Sequence, residues 1–213
     1  FTDMGKVYKM KGYEVPEASR TAKGTPVINF LNLNSGEKVS AVIPVKEFSQ
    51  DNYLVMITRS GTIKKTPMSE FDSIRKNGLI AINLKDGDKL ISVSQSNGDE
   101  NIYVITKLGK AIAFNENDVR SMGRNAAGVR AINLDYGDEV VSMELDIDGT
   151  REMLVVSENG FGKRTSLDEY RLQTRGGKGI ATYDKSKFSK TGTLVGGMLV
   201  RDENEVMLIN SNG

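Results

Sequence analysis

Residues 53–66 read YLVMITRSGTIKKT, and this stretch decides the fold. Its first six residues are β-formers and nearly all apolar, which predicts a strand with both faces covered. Arg59, Ser60 and Gly61 then supply a turn, and residues 62–66 are predicted to form the return strand of an antiparallel hairpin. Pro67 limits how far that return strand can run, because proline cannot donate a ladder hydrogen bond.

The same hairpin pattern occurs four times along the chain. A glycine lies in the turn of each hairpin, at intervals of 56, 48 and 51 residues: Gly5, Gly61, Gly109 and Gly160. A second glycine, with an arginine shortly before it, follows each of these after 17 to 19 residues: Gly24, Gly78, Gly128 and Gly179. Repetition with a period of about 50 residues indicates one supersecondary unit that is stacked several times.

Each repeat carries two further apolar runs. In the second repeat, residues 79–84 alternate with period two and residues 90–94 form the last strand, after a turn at residues 86–88. The first repeat predicts strands at residues 27–31 and 39–43. Four short strands per repeat make one antiparallel blade, and blades around an axis can bury faces that a single blade cannot.

We therefore predict an all-β, propeller-like fold of four-stranded antiparallel blades in a single repeat domain. The predicted blades are residues 1–52, 53–101, 102–150 and 151–204, with a partial fifth at 205–213. A long 3.6-residue apolar period is absent from the sequence, so helix should be minor. Both ends interrupt a repeat, which predicts a fragment of a longer protein.

The composition narrows the possible chemistry. The chain of 213 residues contains no Cys, His or Trp, which removes the usual zinc and copper ligands and both Ser-His-Asp and Cys-His catalysis. We therefore expect no metal site, no cofactor and no catalytic residue. We also expect no membrane span, because no apolar run approaches 18 residues. The formal net charge is only +1, so a nucleic-acid-binding protein of this composition must concentrate its 29 Lys and Arg on one surface.

Basic residues recur at equivalent positions of the repeats. One group follows the first glycine and the other lies in the connecting segment before the second glycine. Together they would form a belt of positive charge that suits the phosphates of duplex DNA. A second interpretation stays open, in which the repeats copied charges that are merely solvated. The predicted DNA-binding residues are Lys6, Lys9, Arg20, Lys23, Lys64, Lys65, Arg75, Lys110, Arg120, Arg124, Lys163, Arg164, Arg175 and Lys178.

The connecting segment of the fourth repeat is the densest of these elements. It reads Gln173-Thr174-Arg175-Gly176-Gly177-Lys178-Gly179. Three glycines in four residues leave backbone N–H groups uncovered by side chains, and two cations flank them, so this loop is predicted to approach phosphate closely. A plain flexible turn is the alternative interpretation.

Several stretches resemble the C-terminal domain of the DNA gyrase A protein, and the resemblance covers the whole chain. They are KGYEVPEASR at residues 11–20, GTIKKT at 61–66, MGRNAAGVR at 122–130 and NGFGKRT at 159–165. The segment from Gln173 to Gly179 is similar to the family's box, QRRGGKG, with Thr174 in place of the first arginine. In the family the box lies in the first blade, so this segment is either the principal box or the equivalent loop of a later blade.

The resemblance implies a six-bladed β-pinwheel in which neighbouring blades exchange a strand. It also implies that double-stranded DNA wraps around the outer rim without sequence preference, which gives a bacterial, cytoplasmic, ATP-dependent type II topoisomerase its directional, negative supercoiling. The domain itself would be non-catalytic, and the gyrase B protein would be a partner through the rest of the gyrase A protein. Two alternatives remain: the corresponding C-terminal domain of topoisomerase IV, and a propeller-like protein-interaction module without a DNA role.

Overall fold

In the residues that the structure describes, thirteen short strands make up almost all of the regular structure. The computed structural model describes residues 1–146 and 149–209. The strands are β1 (Lys6–Val7), β2 (Tyr53–Thr58), β3 (Thr62–Pro67), β4 (Leu79–Ile80), β5 (Leu90–Ser96), β6 (Asn101–Thr106), β7 (Lys110–Asn115), β8 (Val129–Arg130), β9 (Val140–Asp146), β10 (Glu152–Ser157), β11 (Gly162–Ser166), β12 (Ile180–Ala181) and β13 (Leu194–Val200).

Helix is minor, as predicted. The one described α-helix, α1, is the single turn Phe188–Thr191. Single 3₁₀ turns lie at Gly12–Glu14, Val27–Asn29, Met68–Phe71, Glu116–Asp118, Leu167–Glu169 and Lys185–Lys187. Three of these turns directly follow the return strand of a hairpin, where the chain leaves the sheet. Among the described residues, no helix has the length and apolar character that a membrane span requires.

The strands form antiparallel sheets that share strands between repeats. Two sheets have four strands, in the order β5-β2-β3-β8 and β9-β6-β7-β12. A third sheet has the order β13-β10-β11, and β1 pairs with β4. The exchanged strand comes from the following repeat each time: β4 joins the first repeat, β8 the second and β12 the third. The prediction of an all-β pinwheel with exchanged strands is therefore confirmed.

The second glycine of a repeat allows this exchange. Gly128 has φ +92°, and a Cβ atom there would lie 2.5 Å from the carbonyl oxygen of Ile63. Gly179 has φ +68°, and a Cβ atom would lie 2.3 Å from the carbonyl oxygen of Ala111. Because neither position has room for a side chain, glycine lets the incoming strand lie against the return strand of the preceding hairpin.

The hydrophobic core lies between neighbouring blades. One buried cluster combines Val55 and Ile57 of β2 with Val104 of β6 and with Ile132, which follows β8. A second cluster combines residues of the third and fourth repeats, among them Ile105. Because each apolar face packs against the next repeat, the blades stabilise one another. The strands β5, β9 and β13 form the edges of their sheets opposite the return strands.

The first repeat differs from the prediction. Residues 27–31 contain the 3₁₀ turn Val27–Asn29 instead of a strand, and in residues 39–43 only Val39 pairs, through an isolated bridge to Thr2. In the later repeats, the residues equivalent to 27–31 pair with the sheet of the preceding repeat. In the described part of the chain, residues 27–31 have no preceding sheet beside them with which to pair.

The predicted strand at residues 79–84 is also shorter than expected. Only Leu79 and Ile80 pair, and their partner is the first repeat instead of their own. The fourth repeat replaces the third turn of the other repeats with a helical insertion at residues 185–191. The blade boundaries stay a prediction, and residues 210–213 of the predicted fifth repeat lie outside the described residues.

Candidate nucleic-acid interface

The connecting loops run along the outer edge of the preceding sheet. Ser121 forms a parallel bridge with Lys65, and Leu172 forms the equivalent bridge with Ala113. The backbone N–H of Met122 donates to the carbonyl of Lys65 at 2.8 Å, and the residue after Leu172 donates to the carbonyl of Ala113 at 2.8 Å. The loops at residues 120–128 and 171–179 therefore occupy equivalent places on successive blades, as a belt requires.

Most of the predicted basic residues are exposed. The side chain of Lys178, for example, has 70% of its surface accessible. Exposed ammonium and guanidinium groups can neutralise phosphates and release counterions, which is the main source of sequence-independent DNA affinity. The exposed members of the predicted set are Lys9, Arg20, Lys23, Arg75, Arg120, Lys163, Arg164 and Lys178.

Arg124 and Arg175, each four residues before the second glycine of its repeat, are half-buried and hold neighbouring repeats together. Arg175 donates from Nε to the carbonyl of Asp118 at 2.8 Å and from Nη1 to the carbonyl of Arg130 at 3.0 Å. Arg124 makes longer contacts, 3.4 Å to the carbonyl of Ile80 and 3.9 Å to the Glu70 carboxylate. Both arginines thus bind the repeat before their own.

Lys110 and Lys6, the other half-buried members, lie at the start of β7 and β1. Lys110 Nζ lies 2.7 Å from an oxygen of Asp135, and Lys178 Nζ lies 3.9 Å from the other oxygen. The hydrogen bond from Lys110 lowers the pKa of Asp135, with smaller contributions from the charges of Lys178 and Lys185. Asp135 therefore stays ionised and offsets part of the positive charge around it.

Lys64 and Lys65 lie in the interior, away from the outer surface. Lys64 is fully buried, and its Nζ donates to the carbonyls of Ala81, at 2.7 Å, and Arg124. Burial, and then the nearby charge of Arg124, lower the pKa of Lys64 to about 8. Lys65 forms a buried ion pair with Glu116, with 3.3 Å between Nζ and Oε1. The exchanged strand and its loop cover the strand that carries both residues, so their contact with DNA stays a prediction that their burial disfavours.

Lys163 and Arg164 are the counterparts of that pair in the fourth repeat, and both are exposed. Arg164 pairs with Glu152 and, at 2.7 Å, with Asp202, which raises the pKa of its guanidinium. In the described residues β11 pairs with β10 only, so no exchanged strand covers its outer edge.

One backbone amide of the box-like loop already has a partner within the protein. The N–H of Gly176 donates to the carbonyl of Ala131 at 2.6 Å, and the approach of this loop to phosphate stays a prediction. The carbonyl of Gly177 accepts from the N–H of Asn133 at 2.8 Å. The glycines bring the loop backbone against the third repeat. In the same loop Thr174 and Lys178 are exposed, whereas Gln173 is half-buried.

Several exposed cations were missed by sequence reasoning. Arg171 occupies in the fourth repeat the place of Arg120 in the third, one residue before the parallel bridge, and this equivalence could have identified it. Arg130 lies on the exchanged strand β8. Others lie on the insertion that breaks the repeat pattern, so no equivalent position predicts them: Lys185, Lys187 and Lys190.

A groove of about 650 Å³ lies beside the exposed hairpin of the fourth repeat. Its lining includes Phe161, Lys163, Tyr183, Lys187 and Lys190, and Lys190 Nζ lies 5.3 Å from the ring centroid of Phe161. Within residues 1–146 and 149–209, no group of three or more acidic side chains is arranged to hold a metal ion.

Comparison with known families agrees with this geometry. A family model described as "DNA gyrase C-terminal domain, beta-propeller" matches residues 1–46, 52–97, 100–145 and 151–201. The chain is 54% identical over 213 residues to the DNA gyrase A protein of Clostridium acetobutylicum, in a match that covers 100% of the chain and 25% of that protein. It is 45% identical to the DNA gyrase A protein of Staphylococcus epidermidis, with 100% and 24% covered. The chain thus spans about a quarter of the length of these relatives.

Solved structures share the fold. A crystal structure of the C-terminal domain of DNA topoisomerase IV superposes with a TM-score of 0.85 and 27% identity, and the match covers 95% of this chain and 62% of that one. A structure of a DNA gyrase A C-terminal domain superposes with a TM-score of 0.80 and 31% identity, and the match covers 94% and 64%.

Proposed function

The chain belongs to the DNA gyrase C-terminal domain family, and from this premise we propose that it binds duplex DNA without sequence preference and bends it around a basic outer edge. The observation that carries the proposal is the equivalent placement of the loops at residues 120–128 and 171–179, which present basic residues along the outer edges of successive sheets. Exposed cations at equivalent places on successive sheets are the arrangement that a curved phosphate backbone requires.

The mechanism is electrostatic. Exposed Lys and Arg neutralise phosphates, and the release of condensed counterions drives binding. Bending a 20–30 base-pair segment costs about 1–6 kcal/mol, which additional phosphate contacts on the curved surface offset. Arg120, Arg171 and Lys178 are the contacts that we propose first, because they are exposed on the outer loops. Lys64 and Lys65 are left out of this set because they are buried.

If the DNA always wraps around the domain with the same handedness, a type II topoisomerase would pass DNA strands in a preferred direction. DNA that leaves the basic edge with a fixed handed crossover would offer a second segment of the same molecule to the rest of the enzyme. We assign no catalytic step to these residues and propose that DNA breakage and ATP hydrolysis belong elsewhere in the enzyme. A partnership with the gyrase B protein through the rest of the gyrase A protein, and a cytoplasmic location, are parts of the same proposal.

A topoisomerase IV-type role is the second candidate, because a topoisomerase IV C-terminal domain superposes with a TM-score of 0.85. The two roles differ in the wrap that they impose on DNA. Ligation of a nicked plasmid in the presence of the domain measures this. Positive writhe after ligation supports gyrase-type wrapping, and binding without a change of linking number supports the second candidate.

Binding of the purified chain to a fluorescent 40 base-pair duplex at salt concentrations from about 50 to 200 mM tests the shared premise. We expect the logarithm of the affinity to fall linearly with the logarithm of salt, by about 0.9 per phosphate contacted. Binding to duplexes of unrelated sequence should be equal. A slope of zero, or no binding at the lowest salt, would refute the DNA role and favour a protein-interaction module.

A further inference from the structure

The junction between the third and fourth repeats is closed by the backbone of the incoming loop. The N–H of Gly176 donates to the carbonyl of Ala131 at 2.6 Å. Ala131 is fixed in turn, because its own N–H donates to the carbonyl of Gly61 at 2.8 Å. A glycine with φ +82° at position 176 brings the loop backbone this close.

At the junction between the second and third repeats, a side chain instead of a backbone amide joins the incoming loop to the preceding repeat. Ala81 is the counterpart of Ala131, since its N–H donates to the carbonyl of Gly5 at 2.8 Å. The loop position that corresponds to Gly176 holds Asn125, four residues before β8 begins. Here the Ala81 carbonyl accepts from Lys64 Nζ at 2.7 Å, and the same ammonium donates to the carbonyl of Arg124 in the incoming loop.

The residue types at the two junctions change together. The position of Lys64 is occupied in the third repeat by Ile112, which lies on β7, three residues after Gly109. Ile112 Cδ1 is 3.7 Å from the place where a side chain on Gly177 would begin. An apolar residue thus faces the glycine-rich loop, whereas a lysine faces the loop that lacks the glycine pair.

We propose that Lys64 is a positioning residue, whose buried ammonium holds the loop at residues 121–128 on the second repeat as the Gly176 amide holds the box-like loop on the third. The consequence for DNA binding rests on the proposed function, since the loop directly follows the exposed Arg120 and carries Arg124. The Arg124 side chain makes only longer contacts to the second repeat, 3.4 and 3.9 Å. Asn83 Nδ2 also donates to the carbonyl of Asn125 at 2.7 Å, but this bond is exposed to solvent, whereas the ammonium of Lys64 is buried and charged.

Hydrogen exchange of the 213-residue chain tests the positioning without DNA. In Lys64→Met, which keeps an unbranched apolar stem, we expect amides of residues 121–128 to exchange on the order of tenfold to hundredfold faster, as the loss of a charged hydrogen bond implies. Strands β6 and β7 should keep their protection. The control, Lys163→Met, changes the equivalent exposed residue and should leave residues 121–128 unaffected. Unchanged exchange in Lys64→Met would overturn the proposal.

A second variant reproduces the other junction. Lys64→Ile combined with Asn125→Gly gives the second repeat the residue types of the third, and we expect it to restore protection of residues 121–128 relative to Lys64→Ile alone. Equal exchange in the single and double variants would overturn the part of the proposal that makes the two junctions equivalent.

DNA titrations then separate positioning from contact. Lys64→Met should weaken duplex binding about threefold to tenfold with an unchanged salt slope, because Lys64 releases no counterion, whereas loss of a direct phosphate contact lowers the slope by about 0.9. Lys163→Met should lower the slope. A slope decrease in Lys64→Met would show direct contact and refute the proposal. If the unsubstituted chain does not bind DNA, the proposed function fails while the exchange measurements still decide the role of Lys64.

Discussion

The hairpins of the second and fourth repeats share a sequence pattern but differ in environment. Lys65 lies four residues after the turn glycine of its hairpin, and Arg164 lies four residues after the turn glycine of the other. Lys65 is buried in an ion pair, whereas Arg164 is exposed. The strand β8 pairs with β3, but within the described residues β10 is the only partner of β11.

Burial of the return strand in this fold is therefore set by the neighbouring repeat. A repeat's own sequence forms the hairpin, but the next repeat covers it with two residues of strand and a loop. The same basic residue is therefore a structural cation in one repeat and a surface cation in another. Predictions from repeat equivalence alone cannot distinguish the two roles.

The largest expected effect is at the buried cation. Lys65→Met removes the partner of Glu116, whose carboxylate is fully buried and also accepts from Ser96 and the Glu100 N–H. An uncompensated buried charge should lower the free energy of unfolding by about 3–5 kcal/mol. Urea unfolding at neutral pH measures it.

The matched control is Arg164→Met at the exposed position. We expect no measurable change in the urea midpoint, because exposed ion pairs contribute little. Equal destabilisation by the two substitutions would contradict the claim that only the hairpin of the second repeat carries a structural cation.

Glycine substitutions test the covering strand itself. In Gly128→Ala the new methyl would lie 2.5 Å from the carbonyl oxygen of Ile63 at φ +92°, so strain and overpacking should cost about 2–4 kcal/mol. Gly160→Ala, at φ +77° with no atom within 4 Å, should cost only the backbone strain of about 1–2 kcal/mol. Thermal unfolding compares the two, and a larger loss in Gly160→Ala would contradict the role of close approach.

At the opposite edge of the sheets, where β9 packs against β13, Glu144 should make the stability of the fold depend on pH. Burial raises the pKa of Glu144 to about 7 from 4.5, against a hydrogen bond from Leu199 and the charge of Arg151. Between these values the folded state keeps a proton that the unfolded state releases, so the free energy of unfolding should fall as pH rises, by on the order of 3 kcal/mol. Its counterpart in the second repeat is Ser94, which cannot titrate.

Urea unfolding from about pH 5 to about pH 8 measures this decrease. Glu144→Gln should flatten the dependence and stabilise the chain at the upper end of this range relative to the unsubstituted chain. An unchanged pH dependence in Glu144→Gln would assign the titration to other carboxyl groups.

The smallest effect concerns a single exposed cation. Arg120→Ala should reduce the salt slope of duplex binding by about 0.9 and weaken affinity equally for all sequences. Lys107→Ala removes the same charge from a residue already paired with Glu139, at 3.2 Å, and should change the slope less. Equal slopes in the two variants would indicate a general charge effect instead of a contact on the outer edge.

Much of the fold could be predicted because the local signals are strong. The apolar run and the turn glycine of the second repeat located β2 and β3 within a residue. The sequence could not reveal which sheet a short strand joins: Leu79 and Ile80 have the composition of a strand in any repeat, and only packing places them on the first. The failed strand at residues 27–31 has the same origin, because its pairing depends on a neighbour.

The candidate site was predicted less completely. Exposed loop cations such as Arg120 and Lys178 follow from their position in connecting segments. Lys64 and Lys65 could not be separated from them, because charge alone does not reveal an ion pair or a pair of carbonyl acceptors supplied by distant residues. The pairing of the Gly176 amide could likewise not be predicted, because the third repeat supplies its acceptor.

The exchange of strands also imposes an order on folding during synthesis at the ribosome. The return strand β3 is made long before β8, which covers it, and the strands β4, β5, β6 and β7 are all made in between. Each blade therefore leaves the exit tunnel with an open edge that only the next blade can close. In a nascent chain, each blade should become protected against proteolysis only after the following repeat has been made. A ribosome stalled between β7 and β8 should therefore carry a second blade that proteases and chaperones can still reach.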